Sequence, residues 1–197
     1  MPAVNEADPR VKRTRKLLQD ALLELLAEKS FDAITVQDIA ERSTINRATF
    51  YAHFVDKYEL FASYNREWFR QALFNRLPAG APFSRANLEV IILATMQAMA
   101  EMDDHCQPTE AMKPLVMSAV QEELSGYLFR WLERTQRDGA HQPVGLETTA
   151  AGLSWAIFGT AVDWSRMAER SPAESTAARI ATLLTQGLTT AIGELNT

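Results

Sequence analysis

From Asp8 onward, apolar residues recur at helical spacing. Leu18, Leu22 and Leu26 form one stripe with Ala21 and Leu25, and Asp8 followed by Pro9 supplies a cap and a first-turn residue, so the pattern predicts a helix ending near Lys29. Thr35-Val-Gln-Asp38 has the form of a capping box opening a short helix, with Val36, Ile39 and Ala40 inward and an end near Arg42. Asn46 caps a second short helix running through Phe54, and Asp56 caps a longer one reaching Arg76. Pro78-Ala-Gly-Ala-Pro82 then breaks the period and marks the seam between two cores.

Beyond the seam the period stays helical. Helices are predicted from Ser84 to about Asp103, from Thr109 to Arg137 with a disturbance at Pro114 and a stop at Asp138-Gly139, and from about Val144 to Glu169. The last opens with Ser171-Pro-Ala-Glu174, a capping Ser with Pro at the first helical position and Glu at the third. No segment alternates as a strand does, and there is no internal repeat. The predicted class is all-α: an N-terminal three-helix helix-turn-helix domain followed by a C-terminal helical domain.

Composition adds little except at one place. Of 197 residues, 47% are hydrophobic and 23% charged, as in ordinary globular chains, and the net charge of −5 announces no polyanion partner. The cations are segregated, however: Arg10, Lys12, Arg13, Arg15 and Lys16 crowd into the start of the first helix. Cys106 is the single cysteine, so no intrachain disulfide forms, and its neighbour His105 cannot converge with it on a metal as ligands one helical turn apart would. No cofactor or metal is expected. The N-terminus lacks a signal-peptide layout and no apolar run approaches the ~20 residues of a membrane span, which predicts a cytoplasmic protein without a membrane partner.

A helix-turn-helix needs a short positioning helix, a tight turn, and a second helix whose outer face reaches base edges. Residues 35–54 fit: Ile39, Ala40, Ile45, Phe50 and Phe54 form the small core, leaving Asn46, Arg47, Thr49, Tyr51 and His53 outward or flanking. Thr-Val-Gln-Asp-Ile-Ala-Glu-Arg, then Ile-Asn-Arg-Ala-Thr-Phe-Tyr-Ala-His-Phe, then Asp-Lys-Tyr-Glu-Leu-Phe resembles the N-terminal domain of TetR-family transcriptional regulators, over roughly residues 10 to 61. The resemblance implies a homodimeric repressor of double-stranded operator DNA, near-palindromic in sequence, with a variable C-terminal domain that binds a small-molecule effector and forms the dimer interface. The division is then a disordered tail (1–9), a DNA-binding domain (10–61) and a ligand-binding and dimerisation domain (62–197). Where the family usually has Ala-Gly before the apolar turn residue, this chain has Ser43-Thr44, which removes the easiest route to positive φ.

Carried over by resemblance, Arg47 and Thr49 face the major groove from a helix capped by Asn46, while Thr35, Tyr51, His53 and Lys57 contact phosphates. Arg47 is the candidate base reader, since a guanidinium engages guanine in bidentate fashion. In the second domain Met96, Met99, His105, Met117, Trp131 and Trp155 are candidates for an apolar effector pocket, and Trp155, Phe158, Ile180, Leu184 and Leu188 for a four-helix dimer interface. An enzyme is not expected: three histidines, no phosphate-binding loop, and a Gly152-Leu-Ser-Trp-Ala156 that lacks the second glycine and the strand of a nucleophile elbow. The rival reading is a helical protein–protein interaction module without an independent operator, which salt dependence separates from a phosphate binder.

Overall fold

The computed structural model describes residues 8–77, 80–106, 109, 112–136 and 145–194. Among the described residues eight α-helices follow one another: α1 (Pro9–Glu28), α2 (Val36–Ser43), α3 (Arg47–His53), α4 (Lys57–Phe74), α5 (Arg85–Glu101), α6 (Lys113–Gln136), α7 (Leu146–Ser165) and α8 (Ala173–Glu194). A single 3-10 turn, Phe31–Ala33, lies between α1 and α2, and α5 runs into a π-helical turn, Met102–Cys106. The described residues form no strand, and the class is all-α as the periodicity requires.

Side-chain caps start five of the helices where the sequence places them. Asp8 accepts from Arg10 N at 2.8 Å, Asn46 from Ala48 N at 2.8 Å, Asp56 from Glu59 N at 2.8 Å and Ser84 from Asn87 N at 3.1 Å. Thr35 and Asp38 close a reciprocal box, Asp38 N donating to Thr35 Oγ1 at 3.1 Å and Thr35 N to Asp38 Oδ2 at 2.7 Å. Each such cap contributes about 1 kcal/mol by satisfying a backbone N–H that has no partner inside the helix. Because Asp8 caps and Pro9 is already helical, the expected tail of residues 1–9 gives up its last two positions to the first domain. The rest of that tail, residues 1–7, lies outside the described residues, as do Asp138-Gly139 and Val144.

Three expectations are corrected. Pro114 is the second residue of α6, where its missing N–H costs nothing, and so disturbs no helix interior. The segment 171–174 does not form the anticipated cap: the Pro172 carbonyl accepts the first helical bond from Thr176 N at 3.1 Å, so Pro172 precedes α8, and the Ser171 hydroxyl pairs with that of Thr176 at 2.8 Å. Finally, α7 stops at Ser165, short of Glu169, because the reversal after it is pinned. Trp164 Nε1 donates to Ser171 O at 2.9 Å, and Arg170 donates to Ser165 O at 2.9 Å while forking onto both oxygens of Asp104 at 2.7 and 2.8 Å.

The turn between α2 and α3 forms without glycine. Thr44 takes the left-handed conformation itself, φ 56° and ψ 29°, and Ile45 N donates back to Ala40 O at 3.0 Å to close the helix end. The Ser43 hydroxyl donates to Ile39 O at 2.7 Å, so both residues substituted into this turn contribute hydrogen bonds. A β-branched side chain is nonetheless strained at positive φ.

One apolar core runs through both halves. Leu18, Leu22, Phe31, Ile39, Phe50 and Phe54 fill the first; Ile91, Met96, Met99, Val120, Leu124 and Ile157 fill the second; and Leu60, Phe61, Phe69 and Leu73 of α4 make the two continuous. α5 packs on α7 and α8, and α6 on α7 and on α4. Across that last contact, Arg70 Nε and Nη2 each donate to one oxygen of Glu123 at 2.9 Å, and Glu123 is only 7% exposed. Thr44→Gly, which removes the strain at the turn, should raise stability by about 1 kcal/mol in denaturant melts; an unchanged or lower midpoint would show that the Thr44 hydroxyl bond to Ser43 O outweighs it.

Candidate DNA-binding surface

The first domain presents one helix with its outer side clear. In α3, Phe50 is fully buried and Phe54 follows it into the core, which by helical geometry turns Arg47, Thr49 and Tyr51 outward; all three are exposed, Tyr51 by 50%. Arg47 lies over the Tyr51 ring at 6.0 Å, one turn along the same face, so the guanidinium and the phenol form one protruding unit. Asn46, exposed, caps the helix, and Thr35, also exposed, begins α2. The five are therefore gathered on the outer side of the helix pair.

What fixes this face is a set of polar braces. Arg42 forks onto Glu28 at 2.8 and 2.7 Å, tying α2 to α1. Arg15 stacks on the Phe54 ring at 4.4 Å and donates to Ser63 Oγ at 3.0 Å, joining α1 to the end of α3 and to α4. Lys29 meets Asp38 at 2.9 Å; its ammonium, with the Thr35 N–H and hydroxyl, holds the Asp38 carboxyl far below the usual carboxylate range. Of the basic run, Arg15 is thus a brace and Lys16 pairs with Asp20 at 3.1 Å, whereas Arg10, Lys12 and Arg13 are exposed along α1. Sequence reading took the run as a unit; the helical period, which turns Arg15 to the Phe54 side, is the signal that separates it.

Lys57 is a correction. Expected at a phosphate, its ammonium donates instead to the carbonyls of Phe31 at 2.9 Å, Asp32 at 3.2 Å and Ile34 at 2.7 Å, which uses all three protons, and it lies 4.8 Å from the Phe31 ring centroid. It straps the 3-10 turn to the start of α4. His53 differs in another way: half-buried, it has an Nδ1 that is buried without a hydrogen-bond partner. Burial first, and the Arg15 charge second, push its pKa down, so the folded state favours the neutral ring.

Comparison with known proteins gives this geometry its setting. Residues 18–64 match the family model described as bacterial regulatory proteins, tetR family. This segment belongs to the TetR family. A curated relative from Bacillus subtilis strain 168, the uncharacterized HTH-type transcriptional regulator YxbF, is 36% identical over 100 residues, 49% of this chain and 26% of that protein. A second from the same organism, YdeS, is 45% identical over 49 residues, 25% of each chain. The matched stretch thus spans about a quarter of the length of these relatives. Among solved structures, a TetR-family regulator from Streptomyces coelicolor superposes with a TM-score of 0.62 at 18% identity, covering 94% of this chain and 99% of that one. The R. erythropolis repressor QsdR gives 0.58 at 14% identity, covering 88% and 94%. Thermus thermophilus FadR, solved in complex with lauroyl-CoA, gives 0.55 at 18%, also covering 88% and 94%. The TetR fold therefore extends over the second domain, beyond the reach of the sequence motif.

The residues expected to form an effector pocket take different places in the second domain. Met96 and Met99 are wholly buried core residues of α5, and Met117 is half-buried on α6. Trp131 is buried because its Nε1 donates to Ala81 O at 2.7 Å and its ring stacks on Phe83 at 4.8 Å, pinning the link into α5. Trp155 points outward at 60% exposure and belongs with the interface candidates alone. The side chains of His105 and Leu188 lie outside the described residues.

Two measurements test these placements. Lys57→Met should lower stability by about 1 to 3 kcal/mol, the cost of leaving buried acceptors unpaired, while the salt slope of DNA binding stays unchanged; a flattened slope with unchanged stability would return Lys57 to a phosphate. Because His53 titrates lower in the folded chain, acidification through its ordinary value of 6.5 favours the unfolded state. Stability should therefore fall from pH 7 toward pH 5.5, and fall less in His53→Gln; equal losses would contradict the assignment.

Proposed function

We propose that the chain is a homodimeric, effector-responsive transcriptional repressor that holds a near-palindromic operator. The observation that carries this is the outer side of α3: Arg47, Thr49 and Tyr51 exposed together on a helix whose other side is fixed by Phe50 and by capping residues at its start. Arg47 reads a guanine edge in the major groove, Thr49 packs beside it, and Thr35, Asn46 and Tyr51 contact phosphates, with Arg10, Lys12 and Arg13 adding sequence-independent attraction. Lys57 is left out of this set, and His53 acts through packing.

The second domain supports dimerisation. On α7 and α8, Trp155 is 60% and Leu183 70% exposed, with Ile180 and Leu184 half-buried beside them and Phe158 in edge contact with the Trp155 ring at 6.1 Å. Large apolar residues on two helices that both pack on α5 suit an isologous four-helix contact with a second copy. Residues 10–61 then serve as the DNA-binding unit and 62–197 as the effector and dimer unit, with α4 crossing the boundary. No described helix is long and apolar enough to cross a membrane, in keeping with a cytoplasmic operator binder. The elbow-like residues 152–156 lie inside α7, with the Ser154 hydroxyl bonded to Ala151 O at 2.9 Å, a setting that offers no nucleophile. That FadR of the same fold holds lauroyl-CoA supports a small-molecule effector here.

Selection of random duplex DNA by the purified protein at two salt concentrations tests the reading: a near-palindrome should emerge, bound more weakly at the higher salt. No enrichment at either concentration would overturn it. On the selected site, Arg47→Ala should relax preference at one position in each half-site, costing about 1 to 3 kcal/mol for the preferred base. An unchanged preference would remove Arg47 from base reading.

A further inference from the structure

A cavity of about 520 Å³ opens between the two domains. One wall belongs to the DNA-binding side, with Leu26 of α1 and Phe31 of the 3-10 turn; the other comes from Phe61, Asn65 and Trp68 of α4, with Met102 of the π-helical turn closing it. Its size falls in the ~300 to 1,000 Å³ range of small-molecule sites and far exceeds the water-sized voids of ordinary cores.

The lining states what it would hold. Phe31, Phe61, Trp68 and the Met102 thioether favour a flat ring. The charged group among the described lining residues is Lys29, whose ammonium is already neutralised by Asp38 at 2.9 Å, so the occupant is neutral. Asn65 is 7% exposed and donates through Nδ2 to Phe61 O at 2.7 Å, and among the described residues none donates to its amide oxygen. We propose that this junction cavity is the effector site, and that it takes a neutral, ring-bearing molecule with one hydrogen-bond donor, such as a phenol, directed at Asn65 Oδ1. The proposal rests on the reading of the chain as an operator binder and names where and by what that binding is regulated. Pressure on Phe31 is passed to the carbonyls that hold Lys57 and so to the start of α4, while Lys29 links the rim to Asp38 in the capping box of α2.

The test uses the full chain and two probes of nearly the same shape, 2-naphthol and 2-methoxynaphthalene, the second lacking the donor. Calorimetry should show one 2-naphthol bound per chain and the methoxy compound at least tenfold weaker. Leu26→Trp, which fills the cavity, should abolish binding of both. Asn65→Leu should weaken 2-naphthol about tenfold and erase its advantage, and it keeps the test open should the larger substitution fail to fold in a circular-dichroism melt. Bound 2-naphthol should lower affinity for the selected duplex. Absence of saturable binding, equal affinity for the two probes, or affinities unchanged in both variants would overturn the site; binding that leaves duplex affinity untouched would overturn its regulatory role. Failure of the probe-free protein to bind any duplex, with 2-naphthol still bound, would sink the operator reading and leave the site standing.

Discussion

Three carbonyls on a single ammonium hold the turn before α2 to the start of α4, the helix that runs on into the second domain. The chain between α1 and α2 is too short and too irregular to satisfy its own backbone, and Phe31, Asp32 and Ile34 turn their oxygens toward the same point, where Lys57 meets them. Charge-assisted hydrogen bonds of this kind are stronger than neutral ones. Lys57 is also the first residue of α4, the helix whose later turns carry Arg70 onto Glu123 and Leu73 into the second core. Orientation of the DNA-binding unit relative to the rest is therefore set where the 3-10 turn meets the start of the long helix.

The elements were legible because their boundaries are written in local chemistry. Asp8, Thr35 with Asp38, Asn46, Asp56 and Ser84 cap where their residue types say they should, and the inward positions of α1 to α3 follow the helical period. Where local signals mislead, tertiary partners decide. Ser171-Pro-Ala-Glu174 has every feature of a helix start, yet Trp164 claims the Ser171 carbonyl and the helix begins later. Lys57 reads as a phosphate ligand because its actual acceptors sit some 25 residues earlier, in backbone groups that no side-chain pattern reveals. The Met96 and Met99 stripe reads equally well as pocket or core, since periodicity reports which side is buried and not whether space remains there. The junction cavity was invisible for the same reason: its walls come from five separate elements, Val116 of α6 among them.

Polar pairs along α4 do different work from the apolar contacts around them. Hydrophobic packing between α4 and α6 accepts small sliding motions, but the fork of Arg70 on a 7% exposed Glu123 carboxylate fixes one register, since slippage would break both of its bonds and leave that buried charge to Arg130 alone, at 3.5 Å. Arg15, held between Phe54 and Ser63, and Arg42 on Glu28 do the same inside the first domain. Each polar pair thus fixes a register inside the one apolar core that α4 carries through both units.

Where an effector sits decides what leverage it has. A ligand shifts an equilibrium only by the difference in its affinity for the two states, so a site buried wholly inside either domain, making the same contacts in each state, would shift nothing. Met96 and Met99 lie in such a place, close-packed between helices that move together. A site with Leu26 and Phe31 on one wall and Phe61 and Trp68 on the other changes shape with every change in the angle between domains. In the dimer proposed above, its occupant then distinguishes the recognition-helix spacing that fits successive major grooves, roughly 34 to 36 Å, from spacings that do not. Linkage then requires operator DNA to act on the same angle in return, disfavouring the occupant by the same factor.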